Sequence, residues 1–266
     1  MPKKALIVDN NYFFVEFLSE LLEKRGYRVI KAYDGKQGIA KLDEGPVDIV
    51  FADLIMPKID VRQFIEFIRT KFQQTPFPIV ALSGTVIEQL SEIDQIGADF
   101  YIPKGPIDRL TIQLNEFMAE IETQPFYPPT ERKVFKSQAI FPRREAMELL
   151  NTLQFHRAII EHIGVGVIIV DQDTRVINAN SLALDIIQKS AVDVLNCKVA
   201  DLFPNQQRSN LKEALASVIQ EQESKKFSFY TSFNHHSTRT IVTPILYEDC
   251  QSGWIVTLDD SEQATR

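Results

Sequence analysis

Between Lys4 and Ile121, short runs of β-branched and aliphatic residues alternate with amphipathic helical stripes, and the runs end on polar side chains. Asp9 and Asn10 close Lys4-Ala5-Leu6-Ile7-Val8, and Asp53 closes Ile49-Val50-Phe51-Ala52. Ser83 closes Ile79-Val80-Ala81-Leu82, and Lys104 follows Phe100-Tyr101-Ile102-Pro103. Strands separated by helices pair in parallel, because each helix returns the chain across a face of the sheet. The carboxyl ends then share one edge, so residues far apart in sequence are expected to meet in a single crevice.

The intervening stripes fit that layout. Phe14, Phe17, Leu18, Leu21 and Leu22 mark a helix over Tyr12 to Arg25, stopped by Gly26. A second strand is predicted from Tyr27 to Ala32; Asp34-Gly35 then opens a helix ending near Leu42, and Gly45-Pro46 breaks the chain. Helices are expected at Val61 to Lys71 and Thr85 to Ile96. A last one, after the strand from Asp99 to Pro103, carries Leu110, Leu114, Phe117 and Met118. The expected fold is an α/β doubly wound, five-stranded parallel sheet with helices on both faces.

The polar set resembles that of a response-regulator receiver domain over about the first 120 residues. The matching pieces are Val8-Asp9-Asn10, Asp53-Leu54-Ile55-Met56-Pro57, Ser83-Gly84 and Tyr101-Ile102-Pro103-Lys104. The resemblance implies a flavodoxin-like fold in which Asp53 is the phosphorylated nucleophile and Mg2+ is the cofactor. Asp9, Asn10, Asp53 and the backbone carbonyl of Ile55 would hold the ion. Lys104 would pair with a phosphoryl oxygen, Ser83 would donate its hydroxyl to another, and Tyr101 would carry the change to the distal face. Three positions depart from the family's pattern. Asn10 stands where a second acid is usual, Gly105 separates Lys104 from Pro106, and Val61 replaces a glycine after Ile59-Asp60.

From Glu122 to about Arg144 the periodicity ends, with Gln124-Pro125-Phe126-Tyr127-Pro128-Pro129 and Phe141-Pro142-Arg143-Arg144 excluding a regular helix interior. Ala146, Leu149, Leu153, His156, Ile160 and Ile163 then recur at three- and four-residue steps, a heptad seam that suggests a parallel homodimer. The domains are expected at 1–122, linker at 123–144, connecting helix at 145–163 and a second domain at 164–266.

That second domain reads as two strands (Gly164 to Asp171, and one starting at Arg175), short helices at Ser181 to Gln188 and Ala191 to Leu195, and a longer helix from Gln206 to Glu221. Three more strands follow at Phe227 to Phe233, Thr238 to Tyr247 and Gly253 to Leu258. This order is an α+β domain with an antiparallel sheet, and it resembles a PAS sensor domain through Gly-Val-Ile-Ile-Val-Asp, Arg175-Val176-Ile177-Asn178-Ala179-Asn180 and Asp201-Leu202-Phe203-Pro204. Asn180 is expected to cap a helix. Cys197 does not stand in a flavin-binding context, and the long helix offers no haem-ligating histidine. His235 and His236 are expected in a hairpin loop. The PAS ligand is left unassigned.

Composition narrows the class. The chain has 266 residues, 44% hydrophobic, which suits one large domain or two ordinary ones. A net charge of -7 gives no support to nucleic-acid binding. Cys197 and Cys250 make neither a disulfide framework nor a metal pair, pointing to a cytoplasmic protein. Met1-Pro2-Lys3-Lys4 leads into a strand without an apolar signal core, and no membrane-spanning run is present. The expected function is that of a two-component response regulator, not an enzyme in the metabolic sense. A histidine kinase would phosphorylate Asp53 and so switch a surface for a downstream protein partner. Alternatives are a non-phosphorylated scaffold, and a PAS ligand sensor modulated by the receiver.

Overall fold

The computed structural model describes residues 2–74, 76–83, 96–123, 133–134, 152, 155–220, 226–234, 236–247 and 250–260. Gly84, the body of the helix expected at Thr85 to Ile96, most of the linker, the seam residues Ala146, Leu149 and Leu153, and His235 lie outside the described residues. The chain divides into two compact units, Met1–Asn151 and Thr152–Arg266.

In the first unit the order is β1 (Lys4–Val8), α1 (Tyr12–Lys24), β2 (Arg28–Ala32), α2 (Gly35–Asp43), β3 (Ile49–Asp53), α3 (Val61–Lys71), β4 (Ile79–Ser83), β5 (Phe100–Pro103), α4 (Ile107–Thr123) and β6 (Lys133–Val134). All the strands pair in parallel, in the order β2-β1-β3-β4-β5-β6. Five strands are those expected. The sixth comes from the linker, where Lys133 and Val134 pair with Phe100 and Tyr101 and satisfy part of the otherwise open edge of β5.

Strand alternation splits the apolar residues between two layers. Ala5, Ile7, Ile49, Phe51, Val80 and Leu82 meet Leu18 and Leu22 of α1 and Leu114 and Phe117 of α4, forming one core. Phe117 lies edge-on to both Phe51 and Phe100. On the other face α2 comes so close that a Cβ at Gly38 would press on Phe64 and Val8. Asparagine and aspartate side chains start the helices: Asn11 accepts from the Phe14 N–H, Asp34 from Gln37 and Asp60 from Gln63.

In the second unit, residues 155–162 form α5. There follow β7 (Gly166–Asp171), β8 (Val176–Ala179), α6 (Ser181–Ile187), α7 (Ala191–Val194), 3-10 turns at Val199–Leu202 and Asn205–Gln207, α8 (Arg208–Gln220), β9 (Phe227–Phe233), β10 (His236–Tyr247) and β11 (Cys250–Asp259). The antiparallel sheet runs β8-β7-β11-β10-β9. Ile168, Val170, Val242, Trp254, Val256 and Leu258 supply one side of its core, and Leu202, Phe203, Leu211 and Leu215 the other.

Several features of this unit differ from the sequence reading. The long helix begins at Arg208, after a 3-10 turn at Asn205–Gln207, and a further 3-10 turn at Val199–Leu202 has no counterpart in the sequence pattern. The β9–β10 hairpin is tight, with Asn234 at φ 50°, so His236 pairs with Phe233 in the ladder and is not a loop residue. In the expected seam, Ile160 is half-buried and its carbonyl accepts the Asn180 amide at 2.9 Å; the apolar residues left exposed are Phe155, Ile159 and Ile163.

Candidate functional site

The ends of β1, β3 and β5 bring three charged side chains together. Lys104 Nζ lies 2.6 Å from Asp9 Oδ2 and 2.8 Å from Asp53 Oδ1. Parallel register explains the meeting: β3 neighbours β1 on one side and β4 on the other, and β5 follows β4. The Asp9 side chain is fully buried, and those of Asp53 and Lys104 are 11% and 16% exposed.

Neighbouring groups hold these side chains in place. The Asn11 N–H donates to Asp9 Oδ1 at 2.9 Å, so the residue that caps α1 also orients the carboxylate. The Lys104 ammonium sits 4.5 Å from the centre of the Phe14 ring, a cation–π contact on the first turn of α1. The Lys104 N–H donates to the Ser83 carbonyl at 2.5 Å, tying the end of β5 to the end of β4. Gly105 follows the tie, and the ammonium still reaches both carboxylates.

Burial dominates the electrostatics of Asp53. Desolvation raises its carboxyl from 3.8 to about 6, opposed by the charge of Lys104 and reinforced by that of Asp9. Two carboxylates facing one ammonium leave a formal surplus of one negative charge. Hard oxygen donors with surplus negative charge suit a divalent cation such as Mg2+. Among the described residues no group of three or more His, Cys, Asp or Glu forms a metal cluster. The acidic part of this set is the Asp9–Asp53 pair, and the remaining oxygens would come from Asn10 and the Ile55 carbonyl.

The other expected site residues belong to the same set of strands or to the loops that follow them. Asn10 is exposed, one residue beyond Asp9, and Ile55 is half-buried, two residues beyond Asp53. Ser83 is 1% exposed and ends β4 beside β5. Tyr101 is already fully buried, between β4 and β6 in the ladder.

Sequence reasoning did not assign the support beneath the loop that carries Ile55. Lys58, at φ 67°, places its ammonium 2.7 Å from Asp34 Oδ2, and Asp34 is 4% exposed at the start of α2. Gly35 lies so close to the Ile59 carbonyl that a Cβ would overlap it. The Asp34-Gly35 pair is visible in the sequence as a turn, but its partner 24 residues away is not.

Residues 5–115 match the family model for the response regulator receiver domain, and residues 154–260 match that for the PAS fold. Over 106 residues the chain is 34% identical to the transcriptional regulatory protein CpxR of Escherichia coli strain K12, covering 40% of this chain and 44% of that one. It is 33% identical over 105 residues to the alkaline phosphatase synthesis transcriptional regulatory protein PhoP of Bacillus subtilis strain 168, covering 39% and 43%. The chain thus spans less than half the length of these curated relatives. Among solved structures, the chemotaxis response regulator CheY4 of Vibrio cholerae aligns with 44% of this chain and 98% of its own, at 25% identity and TM-score 0.40. A PAS domain from Colwellia psychrerythraea aligns with 41% and 96%, at 12% identity and TM-score 0.36. Among the described residues no helix is long and apolar enough to cross a membrane. The chain carries a response regulator receiver domain at residues 5–115 followed by a PAS domain at residues 154–260.

Proposed function

We propose that this protein is a cytoplasmic phosphorelay response regulator in which Asp53 accepts a phosphoryl group from a sensor histidine kinase. The observation that carries the reading is the Lys104 ammonium lying 2.6 and 2.8 Å from two buried carboxylates at the strand ends. Relatedness to two-component regulators supports it.

One Asp53 carboxylate oxygen attacks phosphorus, the bond from phosphorus to the donor atom breaks, and an acyl phosphate forms on the side chain. A bound Mg2+ would neutralise charge gathering on the transferred oxygens; Asp9, Asn10, Asp53 and the Ile55 carbonyl would hold it. Lys104 already faces Asp53 and is placed to meet a phosphoryl oxygen as a point charge. Ser83, at the end of the adjacent strand, supplies a hydroxyl to another. The domain would thereby promote its own phosphorylation and dephosphorylation without being an enzyme towards other substrates. Tyr101 would transmit the change towards β5 and α4, where a downstream protein partner would read it.

Incubation with acetyl phosphate and Mg2+ should add one phosphoryl group to the wild type, mapped by mass spectrometry to Asp53. Asp53→Ala should remain unlabelled. Equal labelling of the two proteins would refute the assignment, and no labelling of either would leave a docking scaffold as the reading.

The PAS domain would serve as sensor, output or dimerisation element. Phe155 and Ile159 of α5 and Ile163 just after it, respectively 65%, 45% and 54% exposed, support a homodimer through this segment. Light scattering should give twice the chain mass for the wild type and the chain mass for Ile159→Asp.

A further inference from the structure

We propose that the second unit binds a small organic cation, an alkylammonium with a short apolar stem, in a pocket between α6 and the β9–β10 hairpin. The pocket has a volume of about 230 Å³ and lies at the end of the sheet where β11 finishes. Arg239 pairs with Asp259 across β10 and β11, so Thr238 and Asp260 occupy the next rung on neighbouring segments. Both line the pocket.

Two polar atoms there lack partners. Thr238 is 1% exposed and its Oγ1 is buried without a hydrogen bond; Asp260 Oδ1 is buried in the same way. Elsewhere on this inner face a buried threonine is satisfied, since the Thr231 and Thr240 hydroxyls meet at 3.0 Å. A buried hydroxyl and carboxylate oxygen without partners are costly, and a ligand that donates hydrogen bonds to both removes the cost.

The lining selects the chemistry. Asp260 and Asp185 bring carboxylates beside Gln188 and His236, and among the described residues that line the pocket none is a lysine or arginine, which disfavours an anion. Asn234 Nδ2 is already directed at the Ile186 carbonyl at 3.4 Å. Leu182, Ile186 and Phe233 form an apolar wall suited to a hydrocarbon stem. An ammonium carries three donors and no acceptor, which matches the Thr238 and Asp260 oxygens and the Asp185 carboxylate. A metal ion is the poorer fit, because among the described residues no cluster of three acidic, histidine or cysteine ligands is present. The volume admits a molecule smaller than the drug-sized ligands that fill pockets of roughly 300–1,000 Å³.

This inference is independent of phosphorylation at Asp53. The 266-residue chain labelled with 15N is titrated with n-butylammonium chloride, and in parallel with sodium butyrate and 1-butanol. Saturable amide shifts at Leu182, Asn234 and Thr238 are expected with the amine, about tenfold weaker binding with the alcohol, and no saturation with butyrate. Thr238→Val and Asp260→Asn should each weaken the amine about tenfold, while Thr238→Ser should bind as the wild type does. Lack of saturation with the amine, an equal response to butyrate, or unchanged amine affinity in both Thr238→Val and Asp260→Asn would overturn the proposal and leave the pocket to water.

Discussion

Asp53 illustrates how a buried carboxylate costs the fold stability. Its carboxyl is raised from 3.8 to about 6 because burial disfavours the charged form more than Lys104 favours it. Below about pH 4 the group is protonated in both folded and unfolded chains and contributes nothing. Between about pH 4 and pH 6 the folded chain holds the proton that the unfolded chain releases, so stability falls as pH rises. Above about pH 6 the full penalty is present, on the order of 3 kcal/mol at about 1.4 kcal/mol per pH unit. Asp53→Asn should therefore be more stable than the wild type at pH 7, with the difference vanishing near pH 4. Urea denaturation without divalent cation measures it; added Mg2+ should narrow the gap by stabilising the ionised form. The strand-end positions of Asp9, Asp53 and Lys104 are legible in the sequence because each closes an apolar run. Phe14, beneath the Lys104 ammonium, reads only as a member of a helical stripe, since its second role depends on a residue ninety positions away.

At the scale of elements, side chains at helix starts do more than cap. Asn180 accepts from the Val167 and Ala183 N–H groups at 2.8 and 2.9 Å, and its amide donates to the Ile160 and Val165 carbonyls at 2.9 Å. It therefore ties α5, the start of β7 and α6 together while 1% exposed. Asn180→Ala should cost about 2–4 kcal/mol in urea denaturation, more than loss of a simple cap, because several buried backbone groups lose their partner. The cap was readable from Asn180-Ser181 before a helical stripe, but the reach to Ile160 was not. Similarly, Asp34-Gly35 announces a helix start, whereas the ion pair with Lys58 depends on how α2 settles against the loop after β3. Strand edges escaped for the same reason. Lys133 and Val134 have no periodic pattern, and they become β6 only because β5 presents an open ladder.

Among the described residues, each compact unit has apolar packing of its own. Calorimetry should accordingly resolve two transitions, with Asp53→Asn raising one at pH 7 and Asn180→Ala lowering the other. A single transition displaced by both substitutions would contradict this. The sequence by itself determined the class of each unit, because hydrophobic period and turn residues act over a few neighbours and dictate which segments are strands or helices. It also determined which polar residues close the strands. Tertiary structure alone decided which of those residues share a charge cluster, which loop is braced from below, and where buried hydroxyl and carboxylate atoms lack a partner. Those properties arise from distances between segments remote along the chain, and from how far packing removes them from water.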